Sequence, residues 1–253
     1  MQNTIQPITR FFLLVSVVCL CNCGGPRVEG LFREPEFTAD AIRNRSIIIG
    51  GVTSALGNEE IDTLCNVWAN LLREQLVEKL EGVNVVPLNY TKSTLREDQY
   101  GEMLVSFNNI GDLNSEVLEK LGGAFEEPRP YLVMCRLETD ARDTSKGKNK
   151  DSTGAVINVY YLAHRKVCAS FKVWDVAARK LVWSGRITGK ATATNSYDQA
   201  PVTDDDGGSL LTDLLDVFLS DGEPEKYEYP ETPSFTWVAR TVFGDFAKAL
   251  THD

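Results

Sequence analysis

Between Val167 and Ile187 the chain alternates apolar and polar residues on both sides of a turn. Val167, Ala169, Phe171 and Val173 interleave with Cys168, Ser170, Lys172 and Trp174. After a turn near Asp175 to Lys180, Leu181, Trp183 and Ile187 interleave with Val182, Ser184 and Arg186. Successive side chains of a strand point to opposite faces, so this spacing predicts an antiparallel hairpin with one buried face. Two strands cannot bury such a face alone; they need a larger sheet and a covering layer.

The upstream segments supply both. "RSIIIGGVTS" reads as a first strand, Ser46 to Val52, ending at its glycines. Ile61, Leu64, Cys65, Trp68, Leu71, Leu72, Leu76 and Leu80 then recur every three or four residues, which predicts one long amphipathic helix. Asn58 can cap it and Gly82 can stop it. Val83 to Leu88 is a second strand, and Pro87 places it at an edge or strand end. Looser helical spacing follows over residues 94–107, a short helix over about 114–121, and a third strand over Tyr131 to Thr139. The stretch 140–154 has no apolar side chain except Ala141 and reads as an exposed loop. At the C-terminus Phe235, Val238, Val242, Phe243, Phe246 and Leu250 form the stripe of a last helix, with Thr232 as cap and Pro233 in its first turn. A strand–helix–strand start implies parallel pairing through a right-handed crossover. The predicted fold is α/β: a mixed sheet with early βαβ parallel pairing, a later antiparallel hairpin and flanking helices. It is one domain over residues 46–253, carrying an acidic, turn-rich insertion at about 195–233.

The N-terminus sets the compartment. Phe11 to Cys21 is apolar except for Ser16. That run is too short to span a bilayer, which takes about 20 residues, but it suits the core of a secretory signal. It ends in "LCNCGG". Bacterial lipoprotein signals end in a pattern like Leu-x-(Gly/Ala/Ser)-Cys, and Cys23 has Leu20 at −3 and Asn22 at −1. Residues 1–22 are therefore expected to be a signal peptide, Cys23 the lipid-modified residue, and 23–45 a tether. A plain secretory signal cut nearby is the alternative. The formal charge of −10 disfavours nucleic acid as a partner and offers nothing to anionic lipid, so attachment to a membrane rests on the anchor.

Candidate chemistry is sparse. The two histidines are His164 and His252. A Ser-His-Asp or Cys-His site would have to use His164, and a turn histidine is the plainer reading. "GGVTSALG" lacks the glycine spacing of a phosphate-binding loop. "TDDDGGS" places Asp204 and Asp206 at calcium-loop positions but Val202 where the first ligand belongs. No metal or cofactor is expected. Of the cysteines outside the signal and anchor, Cys65, Cys135 and Cys168 read as small buried residues, with a Cys135–Cys168 bridge as the alternative. Trp174 and Tyr160 can form an aromatic patch on the outer sheet face, and Leu211, Leu215 and Phe218 an apolar helix face. Each is a candidate partner surface as well as a candidate for core packing.

Several of these segments together resemble a group of bacterial envelope domains: the curli-secretion lipoprotein, the amino-terminal domain of TolB, and the lipoprotein activators of penicillin-binding proteins. The matching residues are "LCNC", "SIIIGGV" with its long helix, "LEKLGGAFEEPRPYLVMCRLE" and "FKVWDVAARKLVWSGRITG", over roughly residues 46–194 and 234–250. The acidic segment 195–233 has no counterpart. The resemblance implies a non-enzymatic adaptor, activator or secretion component. Its expected place is the bacterial envelope, at the outer membrane facing the periplasm, with other envelope proteins as partners and homo-oligomerisation as an option. Channel activity does not come with it, because the strongest alternating hairpin is used by the core. The competing expectations are an envelope hydrolase with an unrecognised site and a subunit of an oligomeric secretion ring.

Overall fold

A computed structural model describes residues 27–126, 128–154, 156–198 and 228–251. Its elements are β1 (Val28–Arg33), α1 (Ala39–Arg43), β2 (Ser46–Ser54), α2 (Glu59–Asp62), α3 (Cys65–Lys79), β3 (Asn84–Val86), α4 (Leu88–Thr94), α5 (Glu97–Ile110), α6 (Ser115–Ala124), β4 (Tyr131–Lys150), β5 (Val156–Asp175), β6 (Lys180–Asp198) and α7 (Phe235–Thr251). The strands form a six-stranded sheet in the order β1-β6-β5-β4-β2-β3. β2 pairs in parallel with β3 and β4, and the remaining pairs are antiparallel. This is the mixed α/β sheet expected from the sequence. β3 is an edge strand, and Pro87 stands just past its end, where it caps α4.

Both faces are covered. Ile47 and Ile49 face one way with Val133, Val167, Ala169, Phe171 and Val173, under α3 and α7. Ile48 faces the other way with Leu132 and Met134, under α5 and α6. A strand buried on both sides needs a continuous apolar run, which is why three consecutive isoleucines stand here. In the first layer Phe171 stacks on Phe246 with ring centroids 4.2 Å apart. At the far turn, Arg45 forks onto Asp175 at 2.7 and 2.9 Å and lies over the Tyr131 ring. Burial alone would raise the Asp175 carboxyl, but this fork and the Ala178 amide hold it below its usual range.

The structure departs from the expectations at several places. β2 runs through its glycines to Ser54, with a register shift between Ile49 and Gly51. Gly51 has φ +155°, and a Cβ there would meet Leu104 Cδ2 at 2.8 Å, so glycine lets α5 close on the strand. The single long helix is two, α2 and α3, because the Leu64 amide and Thr63 hydroxyl bond back to the preceding turn. Residues 28–43 are no mere tether: β1 is hydrogen-bonded to β6, and Phe37 and Ile42 are core residues. The last helix starts at Phe235, with Ser234 Oγ accepting from the Trp237 amide in place of the expected Thr232 cap. Finally, the expected loop 140–154 is mostly strand, with β4 reaching Lys150. Its polar residues are paired to β5 through the main chain, which no side-chain alternation announces.

Candidate functional site

The lengthened strands make the most distinctive surface of the molecule. β2 leaves β4 at Leu137, its last partner being Ser54. Beyond that point β4, β5 and β6 continue alone as a three-stranded antiparallel arm over residues 139–150, 156–168 and 188–198. About a dozen residues per strand at ~3.3 Å each give it a length of roughly 40 Å. The arm begins at a bulge, where the register shifts between Leu137 and Thr139. Bulges bend a strand and re-aim its side chains. The extra residue, Glu138, accepts from Arg186 Nε of β6 at 2.6 Å, across the intervening β5.

One face of the arm is tied to the domain. Arg165 is only 6% exposed. Its Nε and one terminal nitrogen fork onto Asp140 at 2.7 and 2.6 Å, and the other terminal nitrogen donates to the Pro233 carbonyl at 3.1 Å. The guanidinium also lies over the Phe235 ring at the start of α7. Further out, Tyr229 meets Tyr161 edge-on with centroids 5.0 Å apart, and Asn195 donates to the Glu228 carbonyl at 3.1 Å. Residues 228–234 thus strap the arm to the helical layer.

The other face is polar. Ser145 Oγ lies 3.0 Å from His164 Nε2, and His164 Nδ1 lies 3.0 Å from Thr192 Oγ1. Asn158 and Ser196 bond reciprocally. Tyr160 covers Gly147, where a Cβ would collide with the tyrosine ring. A lipid-facing strand needs about ten residues of alternating apolar character, and these rows do not have it. Ser145 and His164 do make the hydrogen bond of a nucleophile and base. Their third member, however, is a neutral hydroxyl, and the row lies flat on a half-exposed sheet face. Oxyanion stabilisation needs aimed donors in a water-excluded pocket, so the geometry suits a cross-strand polar ladder instead.

A separate cleft opens at the carboxyl end of β2, where open α/β sheets commonly bind ligands. Its volume is about 320 Å³, and it is lined by Val52, Thr53 and Ser54 of β2, Asp62 and Cys65 at the start of the helical layer, and Leu104, Val105, Asn108 and Asn109 around α5. Thr53 Oγ1, Asp62 Oδ1 and Asn108 Oδ1 are buried there without a hydrogen-bond partner. Burial, and then the Asp62 charge, push the Cys65 thiol up from its ordinary value. Nothing in the sequence patterning singles out these residues; the one legible cue is their place after a buried strand.

The residues proposed from sequence fall differently. Cys23, Leu211, Leu215 and Phe218 lie outside the described residues. Trp174 is corrected: it is 1% exposed, beneath α5 and α6, with its ring edge-on to Phe107. It does point away from the first core, but a second helical layer covers it. Tyr160 is half-buried on the polar arm face. Cys135 opposes Phe171 and Cys168 opposes Thr139; both thiols are free. Among the described residues no group of three or more His, Cys, Asp or Glu is placed to hold a metal ion, and no helix is long and apolar enough to cross a membrane.

No protein-family model and no curated protein sequence matches the chain. Among solved structures it is similar to the lipoprotein GNA1162 from Neisseria meningitidis, at 15% identity over 68% of this chain and 92% of that one, with a TM-score of 0.35. A PelC dodecamer from Paraburkholderia phytofirmans matches at 10% identity over 90% and 99% of the two chains, with a TM-score of 0.35. Rare lipoprotein B from Shewanella oneidensis matches at 14% identity over 80% and 89%, with a TM-score of 0.21. Scores this low do not by themselves equate two folds.

Proposed function

We propose that this protein is a bacterial envelope lipoprotein, held by acyl chains on Cys23 at the outer membrane and facing the periplasm. It acts without catalysis, by binding other envelope proteins in secretion, assembly or activation. The observation that carries this is the shared end of anchor and arm. Val28 pairs with Ile187, one residue before the arm segment of β6, and the strand runs away from the arm to Arg33 opposite Trp183. Cys23 stands five residues before Val28, and five residues span at most about 18 Å. An acylated Cys23 therefore holds the root of the arm close to the bilayer. A rigid arm with two differently furnished faces, strapped at its root and brought to a membrane, suits protein contact better than chemistry.

The test is mass spectrometry of the mature N-terminus with fractionation of wild type and Cys23→Ala. Diacylated Cys23 and a shift of the variant to the soluble fraction are expected. An unmodified, soluble wild type overturns the proposal.

A ring-subunit role is favoured by one feature. β1 is an open edge whose Leu31 and Phe32 are 55% and 42% exposed. Unpaired edges invite another strand. Light scattering of the acyl-free domain tests it: a multimer that Leu31→Lys dissolves supports the ring, and a monomer at all concentrations rejects it.

A further inference from the structure

The cleft at the end of β2 carries more than the arm does, because its polar groups are buried yet unsatisfied. Thr53 is 7% exposed, and its hydroxyl has no partner. Buried polar groups are nearly always hydrogen-bonded, and leaving one unpaired costs stability. Here three such oxygens, Thr53 Oγ1, Asp62 Oδ1 and Asn108 Oδ1, belong to residues lining one cavity of about 320 Å³. That volume is at the lower end for small-molecule sites, about 300–1,000 Å³. Val52, Leu104 and Val105 supply apolar wall. Carboxylate and amide oxygens are acceptors, and the hydroxyl can also accept, so the missing groups are donors. Asp62 makes no ion pair among the described residues; Arg136, across from Thr53 in the ladder, does not line the cavity. The Arg136 Nε is also buried without a hydrogen-bond partner, and a terminal nitrogen lies 3.5 Å from where a Gly111 Cβ would stand.

We propose that this cleft is a binding site for a small primary ammonium compound with a short aliphatic body. The ammonium donates to the Asp62, Asn108 and Thr53 oxygens, and the chain packs on Val52, Leu104 and Val105. A carboxylate of the same length is repelled by Asp62, and an alcohol supplies a single donor where three acceptors wait. This site is independent of the anchor and the arm.

Cys65 lines the same cavity and is half-buried, whereas Cys135 and Cys168 are buried, so its thiol reports occupancy. The experiment follows alkylation of Cys65 by N-ethylmaleimide in the full chain, quantified on the Cys65 peptide so that other cysteines do not interfere. Millimolar n-butylammonium is expected to slow labelling at least fivefold, with sodium butyrate leaving it unchanged and 1-butanol slowing it far less. Thr53→Val, which keeps the side chain's shape, and Asp62→Asn, which removes the charge that, after burial, raises the Cys65 thiol and so speeds labelling without amine, are each expected to raise the concentration needed about tenfold, with protection read against each variant's own amine-free rate. Equal protection by butyrate or 1-butanol, full protection in both variants, or no protection by n-butylammonium overturns the proposal.

Discussion

Thr53 shows what an unsatisfied group costs. Its hydroxyl is buried without a partner, and valine has the same shape without the hydroxyl. An unpaired buried donor or acceptor costs ~1–3 kcal/mol. Thr53→Val is therefore expected to stabilise the protein by about 1 kcal/mol, seen as a higher urea midpoint at unchanged slope; an unchanged or lower midpoint would show that the hydroxyl is already satisfied. Tyr100, beside the same region, gives a pH signature. Burial first, and the neighbouring Cys65 second, push its phenol up to about 12 from an ordinary 10. The folded state thus favours the neutral phenol more than the unfolded state does. Its contribution is complete below about pH 10 and is lost as pH rises towards about 12. Urea midpoints measured across that range should fall more steeply for wild type than for Tyr100→Phe; parallel curves would remove the effect.

At the scale of elements, the arm depends on how it is clamped. Asp140 and Arg165 are both nearly buried, and Arg165 also holds the Pro233 carbonyl. Removing one partner of a buried pair leaves an uncompensated charge, at a cost of ~3–5 kcal/mol. Asp140→Leu should destabilise by about 3 kcal/mol and speed amide exchange along residues 141–150 and 156–165. The Arg186–Glu138 pair spans the bulge but has a half-exposed arginine. Such pairs contribute about 0–1 kcal/mol, so Arg186→Ala should barely move the midpoint. The reverse order of the two effects would mean that the bulge, and not the strap, holds the arm.

For the whole molecule, the proposed anchor and the fold are expected to be separable. The apolar core starts at Phe37 and closes with Leu250, and β1 supplies only Val28 to its margin. The proposed acylation site, Cys23, precedes the first core residue by fourteen positions. Cys23→Ala should keep the melting temperature of the acyl-free domain within a degree or so while losing the membrane, and a large fall in melting temperature would tie the N-terminus to folding. A formal charge of −10 adds no attraction for anionic lipid, so little residual membrane binding is expected of the variant.

The sequence alone determined the class of fold. Buried strands and amphipathic helices carry their periods in their side chains, so β2, α3, the 167–187 hairpin and α7 are legible one by one, and their order dictates a mixed sheet. It also determined the signal-like N-terminus, whose pattern is local. What only the tertiary structure decided depends on partners distant in the chain. Trp174 is equally apolar on a free face or under a second layer, and only the packing of α5 and α6 distinguishes the two. The polar run 140–150 is strand because β5 offers it a ladder, and main-chain hydrogen bonds leave no mark in composition. The cleft is the extreme case. Thr53, Asp62, Cys65 and Asn108 are ordinary residues in sequence, and their meaning, three acceptors closed off from water around one cavity, exists only once β2, the α2–α3 junction and α5 have come together.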